Sequence, residues 1–200
     1  PISTIDKIKK ITLKKLVVLI NERDLCLEQI KSLIKPCIGK IKMIRLAVDP
    51  INIDQAKKKA IEIRNMGFKV ALNLMYLSNW IDQTKILKKL EKIENYTDYL
   101  YLVDSHGSVY PNDLIKVIRI IKKSSKVKLG FHGHNNLEMA LANTLAAVAE
   151  GVEIVDSTIM GMGRGSGNLK TELLLSVISK KKDINFDALS KCLEDFGVLK

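Results

Sequence analysis

The 200-residue chain holds no apolar run approaching the roughly 20 residues that a membrane-spanning helix requires, and its first residues lack the apolar core of a secretory leader. Cysteine is scarce. Cys26, Cys37 and Cys192 are scattered, odd in number and in no CxxC spacing, which argues against both a disulfide scaffold and a structural zinc knot. A reducing, cytoplasmic setting is the expectation. Aromatic residues are only 5% of the chain and form no platform on which bases could stack. Acidic residues are also short, 22 against 33 lysines and arginines, for a formal charge of +11. That excess invites a nucleic-acid reading. The lysines, however, lie in segments such as IDKIKKITLKK, QAKKKAIEIR and ILKKLEKIE, interleaved with Ile and Leu at helical spacing, the pattern of solvated helix faces. We therefore expect no nucleic-acid or membrane partner.

The hydrophobic content of 46% suffices for one sizeable core and a single domain over residues 1–200, with no bias toward disorder or a fibrous repeat. Six short, β-rich apolar runs alternate with longer amphipathic ones: KLVVLI (15–20), KMIRLAV (42–48), KVALNLM (69–75), YLYLVD (99–104), VKLGFHGH (127–134) and VEIVDST (152–158). The intervening helical patterns are LCLEQIKSLIK, INIDQAKKKAIEIRNMG, TKILKKLEKIENY, YPNDLIKVIRIIKKS and LEMALANTLAAVAEG, with a further helix over the first thirteen residues and one or two after Lys180. Gly67 and Gly151 stand where C-terminal caps belong, and Asn112 or Asp113 is a candidate N-cap.

Regular strand–helix alternation predicts parallel strands, in a doubly wound sheet or a (β/α)8 barrel. Polar residues end nearly every strand: Asn21, Asp49, Asn73, Asp104 with Ser105, His132 with His134, and Asp156 with Ser157. Chemistry at all the strand ends favours the barrel, because its βα loops converge on one mouth. A barrel has eight strands and about 250 residues. With six strands visible and proline, not methionine, in first place, the expectation is an incomplete barrel whose strands correspond to the third through eighth. Its two open edges would favour association with further copies or with strands upstream.

In the strand ending FHGHNN, alternation puts His132 and His134 on one face, with Gly133 pointing away and Leu129 and Phe131 facing the helices. Two imidazoles on one face make half of a divalent-metal site, a hydrogen-bonded pair, or an acid–base pair. DSTIMGMGRGSGNLKTE (156–172) is a glycine-rich loop that could cradle a phosphate or simply turn tightly, and it does not match GxGxxG. Asp104 and His106 in LVDSHGSVYPNDL are the acid–base candidates, although His106 also reads as a loop histidine and Asp104 as an orienting group. Arg45, Asn73 and Ser105 are candidates for holding a substrate. Arg23-Asp24, which opens a helix, reads as a surface pair.

The segments FHGHNNLEMALANTLAAVAEGVEIVDSTIMGMGRGSGN, YLVDSHGSVYPNDL and VALNLMYLS, in their order and spacing, resemble the HMGL-like aldolase and lyase family, which includes 4-hydroxy-2-oxovalerate aldolase, hydroxymethylglutaryl-CoA lyase and 2-isopropylmalate synthase. The resemblance is nearest to the hydroxy-oxovalerate aldolase type. It implies a (β/α)8 barrel holding Mn²⁺, Mg²⁺ or Zn²⁺, with His132, His134 and Asn168 as ligands, Ser105 on the carboxylate of a 2-oxo acid, and Asp104 in support. It implies carbon–carbon bond cleavage or formation next to that 2-oxo acid, with an aldehyde as second product or substrate. The family also places an Arg-Asp pair on its first barrel strand, which is expected before Pro1. Two alternatives stand: a Claisen-type acyltransferase of the 2-isopropylmalate synthase type, and a noncatalytic or incomplete barrel that binds a ligand or partner.

Overall fold

The computed structural model describes residues 2–178 and 184–197. Six strands, β1 (Val17–Asn21), β2 (Met43–Val48), β3 (Lys69–Leu74), β4 (Tyr99–Asp104), β5 (Lys128–Gly133) and β6 (Ile154–Val155), form one parallel sheet in chain order. Around them run α1 (Ile2–Ile11), α2 (Ile30–Ile34), α3 (Ile53–Asn65), α4 (Leu77–Trp80), α5 (Thr84–Lys89), α6 (Pro111–Ser124), α7 (Ala140–Ala149), α8 (Thr171–Ile178) and α9 (Phe186–Gly197). Each strand lies beside its successor without the order reversal of a doubly wound sheet, so the sheet is a barrel wall. Among the described residues β1 and β6 do not pair, and the wall is open.

Alternation along the strands separates two cores. Ile44, Leu46 and Val48 of β2, Val70, Leu72 and Leu74 of β3, Leu100 and Leu102 of β4, and Leu129 and Phe131 of β5 point outward and are buried under the helices. They meet Ile53, Ala56, Ala60 and Ile63 of α3 and Leu114, Val117, Ile118 and Ile121 of α6, which recur at the three- and four-residue spacing of one helix face. Burial of each such aliphatic side chain contributes about 1.5–3 kcal/mol. The inward set is smaller: Met43, Ala71, Tyr101 and Val103 close the floor of the half-barrel. At the open edge the inward Val17 and Leu19 of β1 remain 44% and 58% exposed.

Gly67 and Gly151 end their helices at φ +87° and +75°, as the sequence predicts. Neither Asn112 nor Asp113 caps α6. Its N-cap is Tyr110, without a side-chain bond, and Pro111 occupies the first turn. Proline starts the helix without a capping acceptor because its φ is already helical and its missing N–H needs no partner. The helix expected over 84–96 is cut at Lys92, whose φ of 51° breaks it before a single 3₁₀ turn. The helix expected from Leu137 begins only at Ala140, after Glu138 at φ 56°. Of the C-terminal stretch, 181–183 and 198–200 lie outside the described residues, and the remainder holds α9. No helix among the described residues is long and apolar enough to cross a membrane.

Candidate active site

The C-terminal ends of the strands open onto a cavity of about 990 Å³ lined by Asn21, Arg45, Asn73, Ser105, His106, His132, His134, Asp156, Arg164 and Asn168, among others. Alternation brings most of them there. Arg45, Asn73, His132 and Asp156 occupy inward positions of β2, β3, β5 and the continuation of β6, and the Asp156 amide still bonds the Phe131 carbonyl at 3.0 Å. The imidazoles of His132 and His134 stand with centroids 5.2 Å apart, edge to face.

The glycine-rich loop folds back onto β5. His134 and Asn168 form an isolated antiparallel bridge, and the Asn135 N–H donates to the Gly167 carbonyl at 2.9 Å. Asn168 is thereby held beside the histidines. Its Nδ2 donates to the Met162 carbonyl at 2.8 Å, while its Oδ1 is buried without a protein partner. An orphaned buried carbonyl oxygen is costly unless something binds it.

Asp156, which the sequence puts at a strand end without a role, is the hub of the site. It receives Nη1 and Nη2 of Arg45 at 3.0 and 2.6 Å and lies 3.0 Å from Nδ1 of His132. Arg45 also donates from Nε to Asn73 Oδ1 at 3.0 Å and stacks its guanidinium 3.8 Å over the Tyr101 ring. Burial would raise the Asp156 pKa, but the His132 hydrogen bond, the Arg45 hydrogen bonds and the Arg45 charge outweigh it, so the carboxyl sits below its ordinary value. An ionised carboxylate only accepts, so His132 presents Nδ1–H to it, which puts the lone pair of the uncharged tautomer on Nε2. Burial, then the neighbouring His132, push the His134 pKa down, which favours the neutral form of that ring. Burial lifts the Tyr101 phenol to about 12, and the ring remains a neutral surface for Arg45.

Gly130 makes that stack possible. A Cβ at this position would lie 2.6 Å from the Tyr101 ring. Gly130→Ala is expected to displace Tyr101 and cost about 1–3 kcal/mol by overpacking. The check is a urea melt together with near-ultraviolet circular dichroism of the tyrosine band. An unchanged midpoint and band would show that the ring does not depend on this gap.

The other sequence candidates separate. Ser105 lines the cavity, and its Oγ accepts the Tyr76 N–H at 2.9 Å. His106 is exposed at the rim and stacks on Tyr76 at 5.6 Å. Asp104 does not reach the cavity. It is fully buried on the helix side of β4, and its carboxylate accepts the N–H groups of Ser108 and Val109, each at 3.1 Å. Its position is that of a loop anchor, and parity with the inward Tyr99, Tyr101 and Val103 is the sequence signal that could have said so. Arg23 pairs with Asp49 at 2.7 Å, not with Asp24, and leans over the cavity mouth.

His132 Nε2, a neutral His134 and the orphaned Asn168 Oδ1 are donor types that a borderline divalent cation accepts. The Asp156–His132 hydrogen bond is the usual means of fixing a ligating imidazole. The set is partial: among the described residues no three or more His, Cys, Asp or Glu side chains are grouped to hold an ion. Carboxylate or water ligands would have to complete it.

The model of the HMGL-like family matches residues 39–194. The chain is 34% identical over 141 residues to 4-hydroxy-2-oxovalerate aldolase of Geobacillus thermodenitrificans (strain NG80-2), an alignment covering 70% of this chain and 41% of that protein. It is 31% identical over 182 residues to the same-named enzyme of Bacillus thuringiensis (strain Al Hakam), covering 84% and 53%. The chain thus spans about half the length of the curated relatives it matches. The crystal structure of the N-terminal domain of a proposed aldolase from Bacteroides vulgatus superposes with a TM-score of 0.94 at 39% identity, over 100% of this chain and 67% of that one. The carboxyl transferase domain of Rhizobium etli pyruvate carboxylase, at 15% identity and a TM-score of 0.78 over 96% of this chain and 36% of its own, shares the fold alone. With its family profile, its parallel barrel wall and the histidine pair at the mouth in agreement, the chain is a member of the HMGL-like family.

Proposed function

We propose that the cavity serves an aldolase reaction of the 4-hydroxy-2-oxovalerate type, in which a carbon–carbon bond next to a 2-oxo acid is broken or formed with a divalent cation at His132, His134 and Asn168. The observation that carries this reading is the orphaned Asn168 Oδ1 in the same cavity as a histidine whose lone pair is set by Asp156. The family of named aldolases supports it. The cation, when bound, supplies Lewis-acid stabilisation of the negative charge that grows on the keto oxygen during bond cleavage.

The chain's own residues perform the rest. Arg164 and Arg23 at the rim draw in an anionic substrate. The Ser105 hydroxyl, with its oxygen already accepting from Tyr76, is free to donate its proton to the substrate carboxylate. Arg45, which lines the cavity, spends three of its five N–H groups on Asp156 and Asn73 and has two left for a ligand. His106 at the rim accepts the proton of the substrate's 4-hydroxyl at a ring nitrogen. The C3–C4 electron pair then passes to the 2-oxo acid fragment as an enolate, and the aldehyde leaves. Returning a proton to C3 completes the 2-oxo acid. Asp104 contributes by holding the loop that carries Ser105 and His106.

The test is exchange of the pyruvate methyl protons into deuterated water, followed by NMR in the presence of Mn²⁺, together with direct Mn²⁺ titration. Metal-dependent exchange is expected, with a loss of at least 100-fold in His132→Ala and a comparable fall in Mn²⁺ affinity. Equal Mn²⁺ affinity in wild type and variant would remove the metal assignment. Thiol release from acetyl-CoA with pyruvate, in place of aldol turnover, would move the protein to the acyltransferase branch.

A further inference from the structure

A second cavity of about 650 Å³ adjoins the first, and Arg23, Tyr76 and His106 line both. Tyr76 is unusual in its backbone. It holds φ 61° and ψ 43°, a left-handed conformation that a bulky residue adopts only where its surroundings enforce it. Its N–H is tied to Ser105 Oγ at 2.9 Å and its ring is stacked on His106 at 5.6 Å, so both enforcing contacts come from residues that face the first cavity. Tyr76 and His106 form a built partition between the two spaces.

The far side of that partition has a distinct chemistry. Its floor is apolar, with Pro50, Ile86 and the buried Trp80, whose indole N–H donates to the Met75 carbonyl at 2.8 Å. Its rim carries the cations of Arg23, Lys85 and Lys89 against a single carboxylate, Asp49. Asp49 is already engaged by Arg23 at 2.7 Å and by the Ile51 N–H at 3.1 Å, and Lys89 is engaged by Asp54. Lys85 has no ion-pair partner among the described residues. A short apolar floor that ends at an exposed ammonium with no ion-pair partner among the described residues suits a small carbon chain with an anionic terminus.

Resting on the aldolase reading above, we propose that this second cavity is the subsite for the aldehyde and that it selects aldehydes bearing a terminal carboxylate or phosphate. The 2-oxo acid half occupies the first cavity, between Ser105 and Arg45. The aldehyde half extends past the Tyr76–His106 partition, its chain along Ile51 over the buried Trp80 and its terminal anion at Lys85.

Two measurements on the full-length protein test this. In the first, Mn²⁺-dependent aldol addition of pyruvate is compared for propanal, succinic semialdehyde and glyceraldehyde 3-phosphate. At least a tenfold higher kcat/KM is expected for one or both anionic aldehydes, with the better of the two naming the anion. Lys85→Glu is expected to lower that value at least tenfold while leaving propanal addition and pyruvate proton exchange unchanged. Equal kcat/KM for all three aldehydes, or an unchanged preference in Lys85→Glu, overturns the assignment. The second measurement does not depend on catalysis. Trp80 lines this cavity, and the difference in emission between the wild type and Trp80→Phe isolates its fluorescence as a direct report on it. A saturable change is expected on titration with succinate or inorganic phosphate, with affinity reduced at least tenfold in Lys85→Glu; absence of saturation overturns the site even if pyruvate exchange proceeds. Saturation without pyruvate exchange in the wild type would instead retain the anion site, defeat the aldolase reading, and with it the aldehyde assignment.

Discussion

Asp156→Asn is expected to lower stability by about 2–4 kcal/mol, because it leaves the Arg45 guanidinium largely buried without its countercharge. The side chains of Arg45 and Asp156 are only 15% and 20% exposed, so solvent offsets little of the loss. The substitution also ends the electrostatic choice of tautomer at His132. An asparagine side chain offers either an oxygen or an NH₂ to Nδ1, and the lone pair on Nε2 is no longer guaranteed. Mn²⁺ affinity is therefore expected to fall about 10–100-fold, as it does when such outer hydrogen bonds are removed from metal sites. Urea unfolding, Mn²⁺ titration and ¹⁵N NMR of the imidazoles read the three effects separately.

The pH dependence has a defined sign. The folded-state pKa of Asp156 is depressed, so its contribution is fully present above the ordinary carboxylate value of about 3.9 and is lost as pH falls through the lower folded value. The stability gap between wild type and Asp156→Asn is expected to be constant near neutrality and to close below about pH 4. A gap that stays constant through the acid range, or no gap at pH 7, would mean that Asp156 does not organise the site.

Gly107→Ala is expected to be as damaging, and by a different route. Gly107 has φ +59°, and a Cβ there would stand 2.5 Å from the Asn136 nitrogen and 2.8 Å from the His134 carbonyl oxygen. Both are backbone atoms, which cannot swing aside as a side chain can. The left-handed backbone costs an alanine about 1–2 kcal/mol and the overpacking a further 1–3 kcal/mol, so a loss of about 2–5 kcal/mol is expected. The loop carrying Ser105 and His106 and the segment after His134 are joined here, with the Leu137 N–H donating to the Gly107 carbonyl at 3.0 Å. Forcing them apart should also weaken Mn²⁺ binding beyond what unfolding explains. Gly39→Ala is the control: its φ is +74°, but nothing lies within 4 Å of the added atom, and only the backbone cost of about 1–2 kcal/mol is expected. Equal losses at the two glycines would refute the steric account.

Much of the site follows from strand parity, which a sequence carries openly. His132 and His134 share a face because their spacing is two, and their facing into the cavity is the same fact that sends Leu129 and Phe131 into the helical core. The same rule places Asp104 outward with Leu100 and Leu102, and there it anchors a loop by two backbone N–H groups. Asp156 shares its parity with the inward Ile154. What parity could not reveal was its partner. Arg45 and Asp156 are 111 positions apart, and they meet only because β2 and β6 curve toward a common interior.

Local pattern was thus enough for the order of the six strands, the α/β barrel wall and the facing of the two histidines, because hydrophobic periodicity and side-chain alternation act over a few residues, whereas the helices α4 and α8 fall outside the segments in which helices are expected. It was also enough for the helix-ending glycines. The network of Arg45, Asp156 and His132, the stack on Tyr101 allowed by Gly130, the return of Asn168 to the edge of β5 and the strained partition at Tyr76 all belong to contacts between distant segments. Such contacts depend on sheet curvature and loop closure, which no short window of residues encodes. The chemistry therefore lies mainly in what the folded wall brings together.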